Sequence, residues 1–248
     1  MKNGKRLKVI IPAAGKGKRS GLSYPKTLQI FDGIPILIRT LQAVSEIDRN
    51  PVVIVSPQGE QLIEKTIREY DNEAELLVQK EPRGMGDAIW CFRKSEYFNK
   101  TDDVIVVWGD LISVQIETLR RLIFLFRKDS LIFAFPSKVS NPCYTYVKRK
   151  DRKVVALSER MEFGNELPLV GESDVGIFMF NKEIVFTILA KHQASLIGKR
   201  TNEIGFVPIV SILSWMGHSI DAFEIADEID SLSFNTSQDL RKAEEVLC

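Results

Sequence analysis

Residues 7–12 read Leu-Lys-Val-Ile-Ile-Pro, and residues 13–19 continue with Ala-Ala-Gly-Lys-Gly-Lys-Arg. The first stretch is short, apolar and β-branched, which is typical of a strand buried on both faces of a parallel sheet. The second combines glycines, which let a backbone come close to a ligand, with basic side chains. Together they predict a strand that leads directly into a polyphosphate-binding loop.

Strand-like and helix-like runs alternate after this loop. The sequence predicts helices and strands in the order helix 35–44, strand 52–56, helix 61–70, strand 74–78, helix 84–96, strand 103–108 and helix 115–128. Such alternation implies right-handed crossovers and a Rossmann-like, doubly wound α/β fold with a mixed, mostly parallel sheet. A strand at 130–135 leads into a more strand-rich second half. We expect one domain over residues 1–248, with halves of about 1–135 and 136–248.

Composition narrows the class of protein. The 248 residues are 44% apolar, which suffices for a sizeable core, and 34 Lys and Arg nearly balance 33 Asp and Glu. No overall positive field is present to attract nucleic acid or an anionic membrane. The cysteines, Cys91, Cys143 and Cys248, are odd in number and widely spaced, and Pro12 interrupts the first apolar run. We therefore expect a cytoplasmic protein.

Asp110 follows the most strand-like run of the chain, which covers residues 103–108. In open α/β sheets the ligand crevice lies outside the carboxyl ends of the strands. Gly15 and Asp110 should therefore point into the same crevice. An aspartate at this position could instead cap the turn that follows it.

The glycine-rich loop differs from two common phosphate-binding motifs. It lacks the GKS or GKT ending of a Walker A loop, and Ser20 stands where a dinucleotide fingerprint has its third glycine. On this pattern alone a solvated surface turn is as probable as a ligand site.

The sequence of the loop resembles the signature of the sugar-1-phosphate nucleotidyltransferases, AAGxGTRM followed by PK. The PK is Pro25-Lys26 in this chain. Three further matches follow in the family's order. Residues 79–88 resemble the nucleobase loop QxxPxGTGxA, residues 108–110 contain the GD motif, and residues 234–240 resemble the closing VNTxxDL. The chain is therefore similar to nucleoside-diphosphate-sugar pyrophosphorylases, including the N-acetylglucosamine-1-phosphate uridylyltransferase domain.

The resemblance implies a GT-A-like nucleotidyltransferase fold and a set of roles. Arg19, Lys26 and Asp110 would be catalytic, and Asp110 and Asn235 would hold Mg²⁺. The implied nucleotide-binding residues are Ala13, Ala14, Gly15, Lys16, Gly17, Gln79, Gly84 and Met85. The first half would bind the nucleoside triphosphate and the second half the sugar 1-phosphate.

In the second half the resemblance implies that Thr145, Glu159 and Asp174 bind the sugar phosphate. The chain departs from the family's pattern at four positions. Lys18 and Met85 each replace a threonine, Asp174 replaces an asparagine, and Thr145 falls near a glycine of the family's GYG turn. These departures leave open the sugar and, in part, the nucleotide. The oligomeric state is also open, because nothing in the sequence identifies an interface.

Two other functions remain open. A cytidylyltransferase that acts on a non-sugar phosphate, such as phosphocholine or a polyol phosphate, would share the loop and the lysine. A catalytically silent protein that binds a nucleotide sugar and regulates a partner would also fit the departures.

Two features have simple structural interpretations. The run at residues 122–126 is apolar almost all round, which predicts a helix buried between layers or, alternatively, at an interface. Asp227, Glu228 and Asp230 are expected to form a solvated acidic face, and Asp239 is expected to compensate the dipole at the start of the last helix. A contribution to a second metal is the alternative for the acidic cluster and for Asp239.

Overall fold

The structure is a computed structural model that describes residues 5–15, 21–225 and 228–247, with only the backbone of Glu228 and Ser231. The strands are β1 (Leu7–Pro12), β2 (Ile30–Phe31), β3 (Ile34–Pro35), β4 (Val52–Val55), β5 (Glu75–Val78), β6 (Asp103–Val107), β7 (Phe133–Ser140), β8 (Thr145–Lys150), β9 (Lys153–Glu159), β10 (Gly171–Asp174), β11 (Ile177–Asn181) and β12 (Ile220–Glu224). The helices are α1 (Ile36–Val44), α2 (Glu60–Glu69), α3 (Met85–Trp90), α4 (Ile116–Lys128), α5 (Arg160–Phe163), α6 (Lys182–Lys191), α7 (Gln193–Leu196), α8 (Ile209–Trp215) and α9 (Ser237–Leu247).

The central sheet has the strand order β5-β4-β1-β6-β11-β7-β10, and β12 pairs with β7. The pairs β1–β4, β1–β6, β4–β5 and β7–β12 are parallel. Strand β11 runs antiparallel to β6 and β7, and β10 runs antiparallel to β7. The predicted mixed, mostly parallel α/β sheet is confirmed.

The order of the first four parallel strands creates a switch point. From β1 the chain moves outwards to β4 and β5, and then returns to place β6 on the other side of β1. A crevice forms at the carboxyl ends of the two strands between which the direction of winding reverses. The switch point therefore lies between the ends of β1 and β6.

Both faces of the sheet are buried, as the uninterrupted apolar runs predict. In β6, Val104 and Val106 join a core cluster with residues of α3, α6 and α8, whereas Ile105 and Val107 join a cluster with residues of α1, α2 and α4. Among the described residues, no helix is long and apolar enough to cross a membrane.

Most of the predicted elements in the first half agree with the structure to within one residue at each end, and two elements differ by more. The helix predicted over residues 84–96 ends at Trp90 and continues as a 3-10 turn, Cys91–Lys94. In that turn the ring of Phe92 packs 5.5 Å from that of Phe98. The strand predicted over 130–135 instead begins at Phe133 and extends to Ser140, because β12 and β10 pair with successive parts of it.

The prediction that the run 122–126 is buried between layers is confirmed for Leu122 and Phe126 and wrong for Phe124. Helix α4 buries Leu119, Leu122 and Phe126 against the sheet, but Phe124 is 62% exposed. A helix that packs on one face of a sheet covers only one stripe of its surface. Which side of α4 forms that buried stripe depends on how the helix packs against the sheet.

The prediction that the acidic cluster is a solvated face was wrong for Asp230. Its side chain is buried, and its carboxylate accepts hydrogen bonds from the backbone N–H of Gln115, at 2.6 Å, and from the hydroxyl of Thr118. Asp230 therefore caps the start of α4 from a distant part of the chain. Asp227 lies outside the described residues.

Asp103 is a buried carboxyl group at the amino end of β6. The side chain is fully buried, its carboxylate oxygens have no hydrogen-bond partner in the described residues, and the Lys5 ammonium lies 3.7 Å away. Burial raises the pKa of Asp103 above its ordinary value. A raised carboxyl pKa makes the folded state lose stability as pH rises from the unfolded value through the folded one.

We expect Asp103→Asn to raise the free energy of unfolding at pH 8 by about 1–3 kcal/mol, because a neutral amide replaces a buried, ionised carboxylate. The gain should shrink towards pH 4. Urea unfolding at both pH values measures it. Asp102→Asn is the matched control with the opposite sign, because hydrogen bonds from Arg6 lower the pKa of Asp102. A stability difference for Asp103→Asn that does not change with pH would contradict the account.

Candidate functional site

A pocket of about 380 Å³ opens at the carboxyl ends of β1 and β6. The structure brings to its wall these residues of the sequence prediction: Ala13, Ala14, Gly15, Lys26, Gln79, Gly84, Met85 and Asp110. Lys16, Gly17, Lys18 and Arg19 lie outside the described residues. The first part of the glycine-rich loop and the nucleobase loop therefore border one cavity.

A wider cavity of about 730 Å³ lies elsewhere, beside Lys5, Arg6 and Lys182. It borders the amino end of β6, where Arg6 pairs with Asp102. Ligands of open α/β sheets bind at the carboxyl ends of the strands. The smaller pocket at the switch point is therefore the candidate site.

Close backbone contact joins the two strands at the pocket floor. The N–H of Gly109 donates to the carbonyl of Pro12 at 3.2 Å, and a Cβ at Gly109 would lie 2.9 Å from that oxygen. Only glycine permits this approach. The contact places Asp110 directly beside the loop that follows β1.

The opposite wall of the pocket is built around Gly84. Its φ is 108°, and an added Cβ would lie 2.6 Å from the carbonyl oxygen of Ile204. The amide nitrogen of Gln79 donates to the Gly84 carbonyl at 3.1 Å and to the Asp87 carboxylate at 2.9 Å. Gln79 is buried and held by these bonds. The backbone at Gly84 and the orientation of the Gln79 side chain therefore depend on each other.

The Lys26 ammonium lies between two side-chain oxygens that belong to distant segments of the chain. Its ammonium contacts the carboxylate of Asp110, and it donates to Oδ1 of Asn235 at 3.3 Å. The side chains of Lys26 and Asp110 are each 16% exposed, so the pair is only partly screened by solvent.

Asn235 is positioned by backbone contacts on both sides. Phe234 N–H donates to the Asp110 carbonyl at 2.8 Å, and Leu111 forms an antiparallel bridge with Ser233. The Asp239 carboxylate accepts the backbone N–H of Asn235 at 2.9 Å. Asp239 therefore closes the start of α9, which agrees with the predicted helix-start role.

The oxygens of Asp110 and Asn235 fit a hard cation. Both already converge on one positive charge, the Lys26 ammonium. Carboxylate and amide oxygens are ligands that Mg²⁺ accepts, and Mg²⁺ takes the rest of its shell from phosphate and water. In the part of the chain that the structure describes, no three His, Cys, Asp or Glu side chains group together as a metal site.

The residues predicted to bind the sugar phosphate form a second group. Thr145 donates its hydroxyl to the Asp174 carboxylate at 2.6 Å, and the N–H of Gly176 donates to the same carboxylate at 2.7 Å. Thr145 also pairs with Glu159 across the β8–β9 hairpin. Thr145 thus orients Asp174, and both lie next to Glu159.

The pKa of Glu159 is raised to about 7, chiefly by burial and then by the charges of Asp174, Glu162 and Glu203, in that order. Burial also raises the pKa of Asp174, against the hydrogen bonds from Thr145 and Gly176. Carboxyl groups with perturbed pKa values are frequent at functional sites. Glu203 lines the 380 Å³ pocket, so the acidic group adjoins that pocket.

Six residues that line the pocket were not among the predicted site residues: Pro12, Thr27, Pro82, Ala88, Trp108 and Glu203. Trp108 lines the pocket, and its indole N–H is buried without a hydrogen-bond partner in the described residues. Its position before Gly109-Asp110 was a usable signal. Glu203 had none, because it reaches the pocket through the backbone bonds that Ile204 makes with Arg83 and Gly86.

The fold and the site together define the class of protein. The sheet with its flanking helices is that of GT-A-like nucleotidyltransferases. A putative glucose-1-phosphate thymidylyltransferase from Bacillus anthracis superposes with a TM-score of 0.75 at 17% identity, over 96% of this chain and 94% of that one. The inositol-1-phosphate CTP transferase from T. maritima gives a TM-score of 0.72 at 17% identity, over 99% of each chain.

Sequence comparison gives the family. The profile of the MobA-like NTP transferase domain matches residues 9–164, and the chain belongs to that family. The bifunctional protein GlmU of Buchnera aphidicola subsp. Schizaphis graminum is 32% identical over 178 residues, which are 71% of this chain and 38% of that relative. The chain spans about half the length, or less, of the curated relatives that it matches. The resemblance to sugar-1-phosphate nucleotidyltransferases is confirmed at the level of the family.

Gly84→Ala tests the wall of the pocket. The added Cβ would meet the Ile204 backbone in a conformation that L side chains rarely adopt, so the loop must move and the Gln79 bond must change. We expect nucleotide affinity to fall by at least tenfold, measured by calorimetric titration.

Gly217→Ala is the matched control for this change. Gly217 has a φ of 80°, and nothing lies within 4 Å of an added Cβ. The variant should lose about 1–2 kcal/mol of stability from the left-handed backbone alone and keep its nucleotide affinity. Equal affinity in both variants would show that the Gly84 wall does not contact the nucleotide.

Proposed function

We propose that this chain transfers a nucleotidyl group from a nucleoside triphosphate to a sugar 1-phosphate, with release of pyrophosphate. One observation carries the proposal. Lys26 meets Asp110 and Asn235 at the switch point of the sheet, and Lys26 and Asp110 line the same 380 Å³ pocket as Gln79 and Gly84. This arrangement offers a place for a base on one side and for phosphates on the other.

The reaction requires little covalent chemistry from the protein. An oxygen of the acceptor phosphate attacks the α-phosphorus, a new P–O bond forms, and the bond from the α-phosphorus to the bridging oxygen breaks. Pyrophosphate leaves with that electron pair. Because the acceptor phosphate is already ionised near neutral pH, no general base is needed. In-line alignment and charge stabilisation by Lys26 and Arg19 then become the catalytic contribution.

Asp110 and Asn235 would hold Mg²⁺ in this proposal. The ion would neutralise charge on the phosphate oxygens during transfer. The Asp110 carboxylate supplies the negative charge of the ligand set, and the Asn235 amide oxygen supplies a neutral donor. The backbone bond from Phe234 to Asp110 fixes the two ligands relative to each other.

Gln79 supports a uridine or thymidine nucleotide. Its amide nitrogen donates both to Gly84 and to Asp87, which leaves its carbonyl oxygen as the polar atom for a ligand. Uracil and thymine present an N3–H donor, whereas the N3 of cytosine is an acceptor. An acceptor atom fixed at this wall therefore favours the first two bases.

A cytidylyltransferase that acts on a polyol phosphate is the second candidate. The similarity to a protein described as an inositol-1-phosphate CTP transferase favours it, since that structure covers nearly the whole chain. The departures at Asp174 and Thr145 lie in the acceptor half, where such a change of substrate would have to occur.

Pyrophosphate release from a matrix of substrates tests the proposal. UTP, dTTP and CTP would each be combined with glucose 1-phosphate, N-acetylglucosamine 1-phosphate, inositol 1-phosphate and phosphocholine. We expect the highest kcat/KM with UTP or dTTP and a hexose 1-phosphate. With the best pair, Lys26→Ala and Arg19→Ala should each lower turnover by about a hundredfold, the scale of losing one preorganised electrostatic donor.

Lys65→Ala is the matched control for this loss. It removes a surface lysine paired with Glu69 at 3.6 Å on α2, away from the pocket, and should leave turnover unchanged. Near-normal turnover in Lys26→Ala would contradict the assignment. Tight binding of a UDP-sugar without pyrophosphate release from any pair would instead favour a silent regulator.

The Glu159 carboxyl predicts a pH-dependent KM for the acceptor. With a pKa raised to about 7 by burial, it is mostly protonated at pH 6 and mostly ionised at pH 8. If the carboxylate accepts hydrogen bonds from sugar hydroxyls, KM should fall by about tenfold over this range, as the ionised fraction rises. The phosphate of the acceptor titrates in the same way with the wild-type protein and with Glu159→Gln. The difference between the two pH profiles of KM therefore reports the ionisation of Glu159 alone. Parallel profiles would place Glu159 outside the acceptor site.

A further inference from the structure

The ammonium of Lys26 lies where a divalent cation would need to lie. It contacts the Asp110 carboxylate and lies 3.3 Å from Oδ1 of Asn235. These are the two oxygens that the proposed function assigns to Mg²⁺. One positive charge thus lies at the junction of both ligands.

A metal ion and this ammonium cannot share the junction. Like charges at contact distance repel strongly in a partly buried site, and the Lys26 and Asp110 side chains are each only 16% exposed. An ammonium can also donate to only a few oxygens at once. Binding of a divalent ion to Asp110 therefore requires the Lys26 side chain to move.

The structure also shows what could draw the lysine away. Lys26 opens a short 3-10 turn and lines the pocket together with Gly15 and Trp108. A lysine has a flexible stem, and its ammonium binds phosphate oxygens readily. A phosphate in the pocket offers the ammonium a new partner and releases the Asp110 carboxylate.

We propose that Lys26 is an internal counter-ion that keeps the Asp110–Asn235 metal ligands closed until a phosphate ligand draws its ammonium away. The inference rests on the proposed function for the identity of the two metal ligands. It adds a coupling: the divalent ion binds weakly to the free protein and tightly together with the phosphate ligand. By thermodynamic linkage, each ligand then strengthens the binding of the other.

Mn²⁺ titration of the ligand-free protein tests the coupling, with the EPR signal of free Mn²⁺ as the readout. Lys26→Met keeps the stem of the side chain and removes the charge. We expect it to bind Mn²⁺ at least tenfold more tightly than the unchanged protein. Lys26→Arg keeps the charge and should bind as weakly as the unchanged protein. Adding Asp110→Asn to Lys26→Met should abolish the gain.

Two controls make the result specific. Lys65→Ala removes a lysine from another lysine–carboxylate pair and should not change Mn²⁺ affinity. Lys26→Gln is a second neutral variant if Lys26→Met does not fold. Equal Mn²⁺ affinity in the unchanged protein and in the neutral variants would overturn the inference, as would a gain that survives Asp110→Asn.

The Mn²⁺ titration tests the counter-ion and the substrate matrix tests the enzyme, so either proposal can be refuted without the other. Tighter Mn²⁺ binding in Lys26→Met, together with no pyrophosphate release from any substrate pair, would support the counter-ion and refute the enzyme. Pyrophosphate release with unchanged Mn²⁺ affinity would support the enzyme and refute the counter-ion.

Discussion

The parallel pairing of β1 with β6 is the constraint on which the site depends. The two strands are paired from Leu7 with Asp103 to Ile10 with Val106, and both are buried on both faces. Beyond the pairing, the Gly109 N–H still reaches the Pro12 carbonyl. The loop after β1 and the aspartate after β6 are therefore held together by backbone geometry. A change in the register of either strand would separate them.

The charges in the site are balanced locally, since the chain as a whole has a formal net charge of only +1. Lys26 offsets Asp110 at the pocket. In the second group, the charges of Asp174 and Glu203 lie close enough to Glu159 to raise its pKa. The burial of Glu159 and Asp174 opposes their ionisation. The pocket therefore holds a basic group at Lys26, and the acidic group adjoins it through Glu203.

Much of the fold was predictable because the apolar runs are long enough to identify strands buried on both faces. Predicted element boundaries were wrong where pairing with a strand distant in sequence sets the end of an element. Strand β7 is an example, because its second part pairs with β10. Asp230 was misread because its partner, the start of α4, lies more than a hundred residues away in sequence. Phe124 was misread because composition alone does not show which stripe of a helix meets the sheet.

The candidate site divides in the same way. Residues that follow a strand directly, such as Gly15 and Asp110, were predictable because a motif and a strand end coincide there. Contacts between distant segments were not, and the meeting of Lys26 with Asn235 is one of them. Roles assigned to Lys16, Gly17 and Arg19 stay predictions, because these residues lie outside the described part of the chain.

The two halves of the site differ in how they are built, and this difference bears on substrate choice. The nucleotide side relies on backbone positions fixed by the central sheet, so its geometry tolerates little change. The acceptor side carries Thr145 and Glu159 on the β8–β9 hairpin, which forms a separate two-stranded sheet. Side chains on such a hairpin can be replaced without altering the register of the central strands. Of the two departures on the side that we propose for the acceptor, Thr145 lies on this hairpin, whereas Asp174 ends β10 of the central sheet and is held there by the Thr145 hydroxyl.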